Sequence, residues 1–162
     1  MKYSIRRNLF ETNSSSVHVI AISNRSISGD LPKEINFNLG EFGFAPKKLT
    51  TINKRAAYLW TAICTCLNVN EIPKCAEKIS SVMEKYGIKC TFNNNHDDFD
   101  CYIDHGEELI HLVRMIVKSD YLLEHYLLSP KSIILTGNDN GYGELPVFKT
   151  FEDYILVYKK WN

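Results

Sequence analysis

Three polar clusters in this 162-residue chain combine side chains that can do chemistry. The first gathers Arg6, Arg7, Asn13, Ser14, Ser15, Ser16 and His18 within thirteen residues. A turn of small hydroxyl and amide side chains exposes several donors at once, and an arginine fork beside it suits a phosphate or another planar anion. His18 would exchange a proton. A plainer account exists for each. Ser and Asn fill turns because they hydrogen-bond their own backbone, and His18 also fits one position of an alternating strand.

The second cluster runs from His96 through Asp97, Asp98, Asp100, Asp104, His105, Glu107 and Glu108 to His111. Imidazoles and carboxylates this close can form a divalent metal site or an acid/base pair. The spacing matches no established ligand pattern, so no metal ligand is assigned and the cofactor is left unknown. Asp104 and Glu107 have the D-x-x-E form of a capped helix start, which would put His105 in the first turn, where the helix dipole favours a neutral imidazole able to act as a base. The third cluster, Gly137-Asn138-Asp139-Asn140-Gly141-Tyr142-Gly143-Glu144, follows an apolar run that reads as a strand, a common place for a site. It lacks the Lys and Ser/Thr of a P-loop and is not the dinucleotide fingerprint. Joined, the clusters offer His18, Asp104 and His105 as catalytic candidates. Arg7, Asn13, Ser14, Ser15, Ser16, Asn138 and Asp139 form the phosphate- or ligand-binding set.

Other residues read as structure. Cys64 and Cys66 fall within a helical pattern, where positions two apart point to different sides and a zinc site would be awkward. Phe42, Phe44, Tyr58 and Trp60 read as packing aromatics rather than a base-stacking platform. Lys47, Lys48, Lys54 and Arg55 flank a helix start and read as a solvated face.

The run RRNLFETNSSSVH, Arg6 to His18, resembles the opening of a family of small phage and mobile-element proteins that begin with an arginine followed by FETNSSSxH. Echoes of that family continue in Gly40-Glu41-Phe42-Gly43-Phe44, in Tyr102-Ile103-Asp104-His105 and in Thr136-Gly137-Asn138-Asp139-Asn140. The resemblance implies a setting, phage–host biology, rather than a reaction. It also implies that the blocks RR, NSSS-x-H, DH and NDN build a site or a buried hydrogen-bond network, since shared polar runs are hard to attribute to packing alone. One departure matters. The family pattern often continues after Asp-His with Gln or Glu and then Ser, where this chain has Gly106-Glu107-Glu108, so no role can rest on that serine.

The elements that must carry these clusters are legible from periodicity. KYSIRR and SVHVIAI read as extended runs, 23–34 as a loop, and Ile35–Leu39 as a short strand before the aromatic turn at 40–44. Ile52, Ala56, Leu59, Ile63 and Cys66 recur at helical steps, with Thr51 or Asn53 as cap, and Pro73 opens a second helix that ends by Gly87. Strands are expected at 88–92 and 101–103. A third helix buries Leu109, Leu112, Val113, Ile116 and Val117, a short fourth spans 121–128, and a strand covers 132–136. The tail FEDYILVYKKW suits either helix or strand. Such an order lacks regular β-α alternation, so the expected fold class is α+β, a small mixed or antiparallel sheet packed against about four helices, in one domain over 1–162.

Composition bounds the function. The chain is 44% hydrophobic and 23% charged, close to the globular average, which excludes long disorder and fibrous repeats. Lys+Arg and Asp+Glu both total 19, so nucleic acid is an unlikely partner by bulk charge. The charge is uneven, however: nine basic against four acidic residues over 1–60, three against ten over 91–144. No apolar run reaches the roughly 18 residues of a membrane helix, so no membrane partner is expected; the expected location is the cytoplasm, that of the host if phage-encoded. Five cysteines in apolar contexts read as reduced thiols. Two functions follow as expectations, with enzymatic activity left uncertain. One is a phage or mobile-element accessory protein with a nucleotide/phosphate-binding or hydrolytic site, its partner a small phosphorylated ligand. The alternative is a non-enzymatic inhibitor of a host defence or metabolic protein, acting through the acidic surface that includes Asp97, Asp98, Asp100 and Glu108.

Overall fold

The strand β1 (Ser16–Ser23), SVHVIAIS, is buried at all eight positions, which requires neighbours on both edges and cover on both faces. In the computed structural model, which describes residues 16–94, 101–138 and 153–160, it has them. On one edge β1 pairs antiparallel with β7 (Ile133–Asn138) and on the other with β8 (Tyr154–Lys160), while β4 (Lys47–Leu49) pairs with the far side of β7. The resulting four-stranded antiparallel sheet has the order β4-β7-β1-β8. Two short parallel pairs stand beside it: β2 (Glu34–Phe37) with β5 (Lys89–Phe92), and β3 (Glu41–Phe42) with β6 (Tyr102–Ile103). The fold is α+β.

Four α-helices cover the face of the sheet that carries Ile20, Ile22 and Ile134. The first, α1 (Ile52–Cys66), starts where the Thr51 side chain accepts a hydrogen bond from the Lys54 amide, and it inserts Tyr58, Leu59, Trp60 and Ile63 into the core. It is followed by α2 (Ile72–Glu84), α3 (Ile110–Lys118) and α4 (Asp120–Leu128). Pro73 sits in the first turn of α2, and α3 buries Leu112, Val113, Ile116 and Val117, as the periodicity predicts. The opposite face of the sheet carries a smaller cluster of Val17, Val19 and Leu135.

Three expectations change. The ambiguous tail is a strand, because its apolar residues pair with β1 in register from Ala21 with Val157 to His18 with Lys160. Asp104 does not cap a helix. Its amide donates to the Phe42 carbonyl and prolongs the β3–β6 pairing, so the chain bends one residue later, at His105 (φ 53°, ψ 34°), and enters a 3-10 turn, Gly106–Leu109, before α3. Arg55 is not on a solvated face. It is 1% exposed, and its guanidinium donates to the carbonyls of Tyr126 (2.8 Å), Leu127 (2.6 Å), Ser129 (3.1 Å) and Ser132 (2.9 Å) and to that of Thr50. The end of α4 leaves carbonyls without helical partners and carries negative dipole charge, so a buried cation with five donors satisfies both needs. The predicted strand at 2–7 and most of the 137–144 turn lie outside the described residues.

Candidate functional site

His18 is the third residue of β1, on the helix-covered face, and it is fully buried. Its Nε2 lies 2.8 Å from the Asp104 carbonyl oxygen and its Nδ1 lies 3.0 Å from the Tyr58 hydroxyl. A carbonyl only accepts, so Nε2 carries the proton and donates. The remaining nitrogen of a neutral ring then accepts from Tyr58. Burial drives the same outcome, pushing the imidazole down to about 4, only partly opposed by the bond to Asp104 and reinforced by the nearby Lys160 charge. The ring is therefore neutral at pH 7. Burial also holds the Tyr58 phenol well above its ordinary range, so it stays a donor. Ser16, two residues back on the same face, sends its hydroxyl toward the same Asp104 carbonyl at 3.5 Å.

Beyond this carbonyl the chain carries its exposed chemistry. The Asp104 carboxyl is raised by burial, a shift that the neighbouring His105 and Lys160 oppose. His105 is about one-third exposed. Its Nε2 is 4.0 Å from Asp104 Oδ2, and its Nδ1 is 3.6 Å from Glu107 Oε1 and 3.9 Å from Glu108 Oε1. From β8, in register with His18, the nearly buried Lys160 reaches Glu108 Oε1 at 2.7 Å; the pair is ionic, out of line for a hydrogen bond. His105, Glu107 and Glu108 place one ligand atom each within 4.8 Å of one another, the group among the described residues that could hold a cation. Lys160 already neutralises one of its carboxylates, and Glu107 is mostly exposed.

Gly43 allows the corner to close. Its φ of 104° belongs to the left-handed region, and a Cβ there would stand 2.7 Å from the Cβ of Asp104. Phe42, beside it, packs its ring against Tyr58 at 5.2 Å, which extends the network into the core.

The structure thus brings Ser16, His18, Asp104 and His105 together, and Asn138 stands opposite Ser16 in the β1–β7 register at the same end of the sheet. Arg7, Asn13, Ser14, Ser15 and Asp139 lie outside the described residues, as do His96, Asp97, Asp98 and Asp100. Sequence reasoning missed Tyr58, which reads as a packing aromatic until its hydroxyl is placed, and Lys160, whose tail could be read two ways. The five cysteines are free thiols, and burial pushes Cys64 up to about 12, which makes it a poor nucleophile at neutral pH. No described helix is long and apolar enough to cross a membrane. Comparison with protein-family models, with curated proteins and with solved structures finds no match to this chain.

Proposed function

We propose that the chain is an accessory protein of phage or mobile-element type that binds, and by acid–base chemistry hydrolyses, a small phosphorylated ligand at this corner. One observation carries the reading: polar blocks more than eighty residues apart in sequence meet at a single carbonyl, that of Asp104, with a partly exposed imidazole on the next residue. Geometry divides the roles. His105 is the ring with access to a ligand, and Asp104, whose carboxyl is raised, is the group that would orient it or share its proton. His18 has both nitrogens engaged and is a positioning residue, holding the peptide that aims Asp104 and His105. Ser16 assists it. Asn13, Ser14 and Ser15 immediately precede Ser16 in the chain, and with Arg7 they are the proposed phosphate donors.

The test is product release from a panel of nucleotides and dinucleotides, with and without divalent cations. His105→Ala should lower turnover by about 10²–10⁴-fold, the usual worth of a general acid or base. The variant should remain folded, with a cooperative melting transition, so that the loss of turnover is not a loss of structure. No turnover of any panel member by the unaltered protein sinks the hydrolytic reading. The protein-binding alternative is favoured by Glu107 and Glu108, whose side chains are 70% and 44% exposed. Its measure is partner capture that disappears on charge reversal at Glu107 and Glu108.

A further inference from the structure

The corner is acidic. Asp104, Glu107 and Glu108 outnumber Lys160 there, so it repels the phosphate it would act on unless other groups hold the ligand. Across Phe42 lies a groove of about 420 Å³, lined by Phe42, Lys47, Lys48, Leu49, Lys54 and Ala57. Its volume is in the range of small-molecule sites, roughly 300–1,000 Å³. Among the described residues that line it, three are lysines and none is acidic, in a chain whose formal charge is zero.

We propose that this groove is a binding site for a polyphosphate, that is, for two or more adjacent phosphate groups. The lysines come from two elements. Lys47 and Lys48 lie on β4, the edge strand of the main sheet, and Lys54 stands across the groove in the first turn of α1. Lysines on an edge strand also deter edge-to-edge pairing, but that role accounts for nothing on the facing helix. Lys47 lies over the Phe42 ring, 5.1 Å from its centroid, which anchors the ammonium at the groove. Among the described residues, Lys54 makes neither an ion pair nor a side-chain hydrogen bond with any partner, so its charge is available to a ligand; Lys48, in register with Leu135, alternates to the other face of β4 and adds positive charge at the rim.

Lys54 carries a further mark. It occupies the third helical position after the Thr51 cap, where a glutamate would complete a T-x-x-E box and suit the helix dipole, and the first turn of α1 holds no acidic residue at all. A cation is the poor choice there for helix stability and the good choice for holding an anion. Phe42 is only 5% exposed, so it offers a wall rather than a stacking face, and the recognised chemistry is the phosphate chain. The three lysines are exposed, as the sequence predicts, and the proposal adds a ligand to that solvated face. The inference rests on the groove alone and stands whether or not the corner turns a ligand over.

The experiment is thermal melting of the full chain with tripolyphosphate, ATP, AMP and sodium sulfate at matched ionic strength, together with a 12-residue single-stranded DNA. Tripolyphosphate and ATP should raise the melting temperature by several degrees at about a hundred times the dissociation constant, with AMP and sulfate giving little. Equal shifts by the first two assign the phosphate chain as sufficient, and a larger ATP shift assigns a nucleotide. Lys54→Glu should raise the unliganded melting temperature and abolish the tripolyphosphate shift, opposite signs that unfolding cannot produce. Lys48→Glu should weaken the shift without that gain, and His105→Ala should leave it intact. No shift with any polyphosphate, or an equal shift with sulfate, overturns the proposal. DNA binding tighter than tripolyphosphate also overturns it, in favour of a nucleic-acid backbone.

Discussion

His18 Nε2 donates to the carbonyl of Asp104 across 2.8 Å, and the two residues are 86 positions apart. This bond joins the central strand of the sheet to the segment that follows β6, and it assigns the histidine a load different from proton transfer. The carbonyl needs a donor because it is turned away from the β3–β6 ladder that satisfies its own amide. A neutral imidazole supplies that donor and leaves a second nitrogen for Tyr58.

Burial of the same imidazole makes stability depend on pH. In the unfolded chain the imidazole titrates near its ordinary 6.5, whereas the folded protein holds it at about 4. Between these values the unfolded state binds more protons, so stability falls as pH drops below about 6.5 and the loss is complete below about 4. The 2.5-unit gap corresponds to about 3 kcal/mol. Urea unfolding at intervals from pH 7.5 to 4 should show this decline, with a shallower slope in His18→Gln. Identical slopes in both proteins would mean that other groups govern the acid limb.

Tyr58 provides a separate check on the tautomer. Tyr58→Phe keeps the ring that packs on Phe42 but removes the hydroxyl that donates to Nδ1, leaving that buried acceptor without its partner. A cost of about 1–3 kcal/mol is expected. In a double-mutant cycle with His18→Gln the two losses should be clearly non-additive, as residues in direct contact are. Additive losses would show that the hydroxyl and the ring do not work as a pair.

How much of this was legible beforehand depends on the range of the interaction. Thr51 as cap, Pro73 in a first turn and the Leu112–Val117 stripe are local signals, and each is read correctly because helix contacts repeat every three or four residues. β4 was missed since Lys-Lys-Leu has no strand signature of its own and becomes a strand only against Ile134, Leu135 and Thr136. Asp104 and Glu107 mimic a capping box, yet a tertiary hydrogen bond to Phe42 takes the amide first. Arg55 is the sharpest case. A charged residue in a first helical turn reads as solvated, and four of the five carbonyls that hold it buried lie more than seventy residues away. Within the site, the meeting of Ser16 and His18 with Asp104 and His105 agrees with the polar blocks that the sequence singles out. The lysine groove was not seen, because its two walls come from a strand and a helix.

Arg55 can be tested by shape against charge. Arg55→Met fills most of the same volume but removes the guanidinium donors from five carbonyls, of which that of Ser129 keeps the Ser132 amide, and a loss of at least about 3 kcal/mol is expected. Arg55→Lys keeps the charge without the planar fork, so it can reach only some of these acceptors and should recover less than half of the loss. Denaturant midpoints at constant slope are the measurement. A full recovery by lysine would mean that charge at the end of α4 matters and the fork does not.

Gly43 offers a perturbation confined to the corner. Gly43→Ala forces a side chain onto a φ of 104° and drives its Cβ to 2.7 Å from the Cβ of Asp104, so the Asp104–His105 bend must move. Gly29→Ala is the matched control, since its φ of 96° carries the same backbone penalty while a Cβ there meets nothing within 4 Å. Both variants should lose about 1–3 kcal/mol through the left-handed backbone. Only Gly43→Ala should shift the His105 imidazole resonances, because that ring owes its position to the bend beside Asp104. If turnover of a phosphorylated ligand is found, it should fall in Gly43→Ala and persist in Gly29→Ala. Unchanged His105 resonances in Gly43→Ala would show that the corner accommodates the methyl group, and that His105 is held by Glu107 and Glu108 rather than by its neighbour.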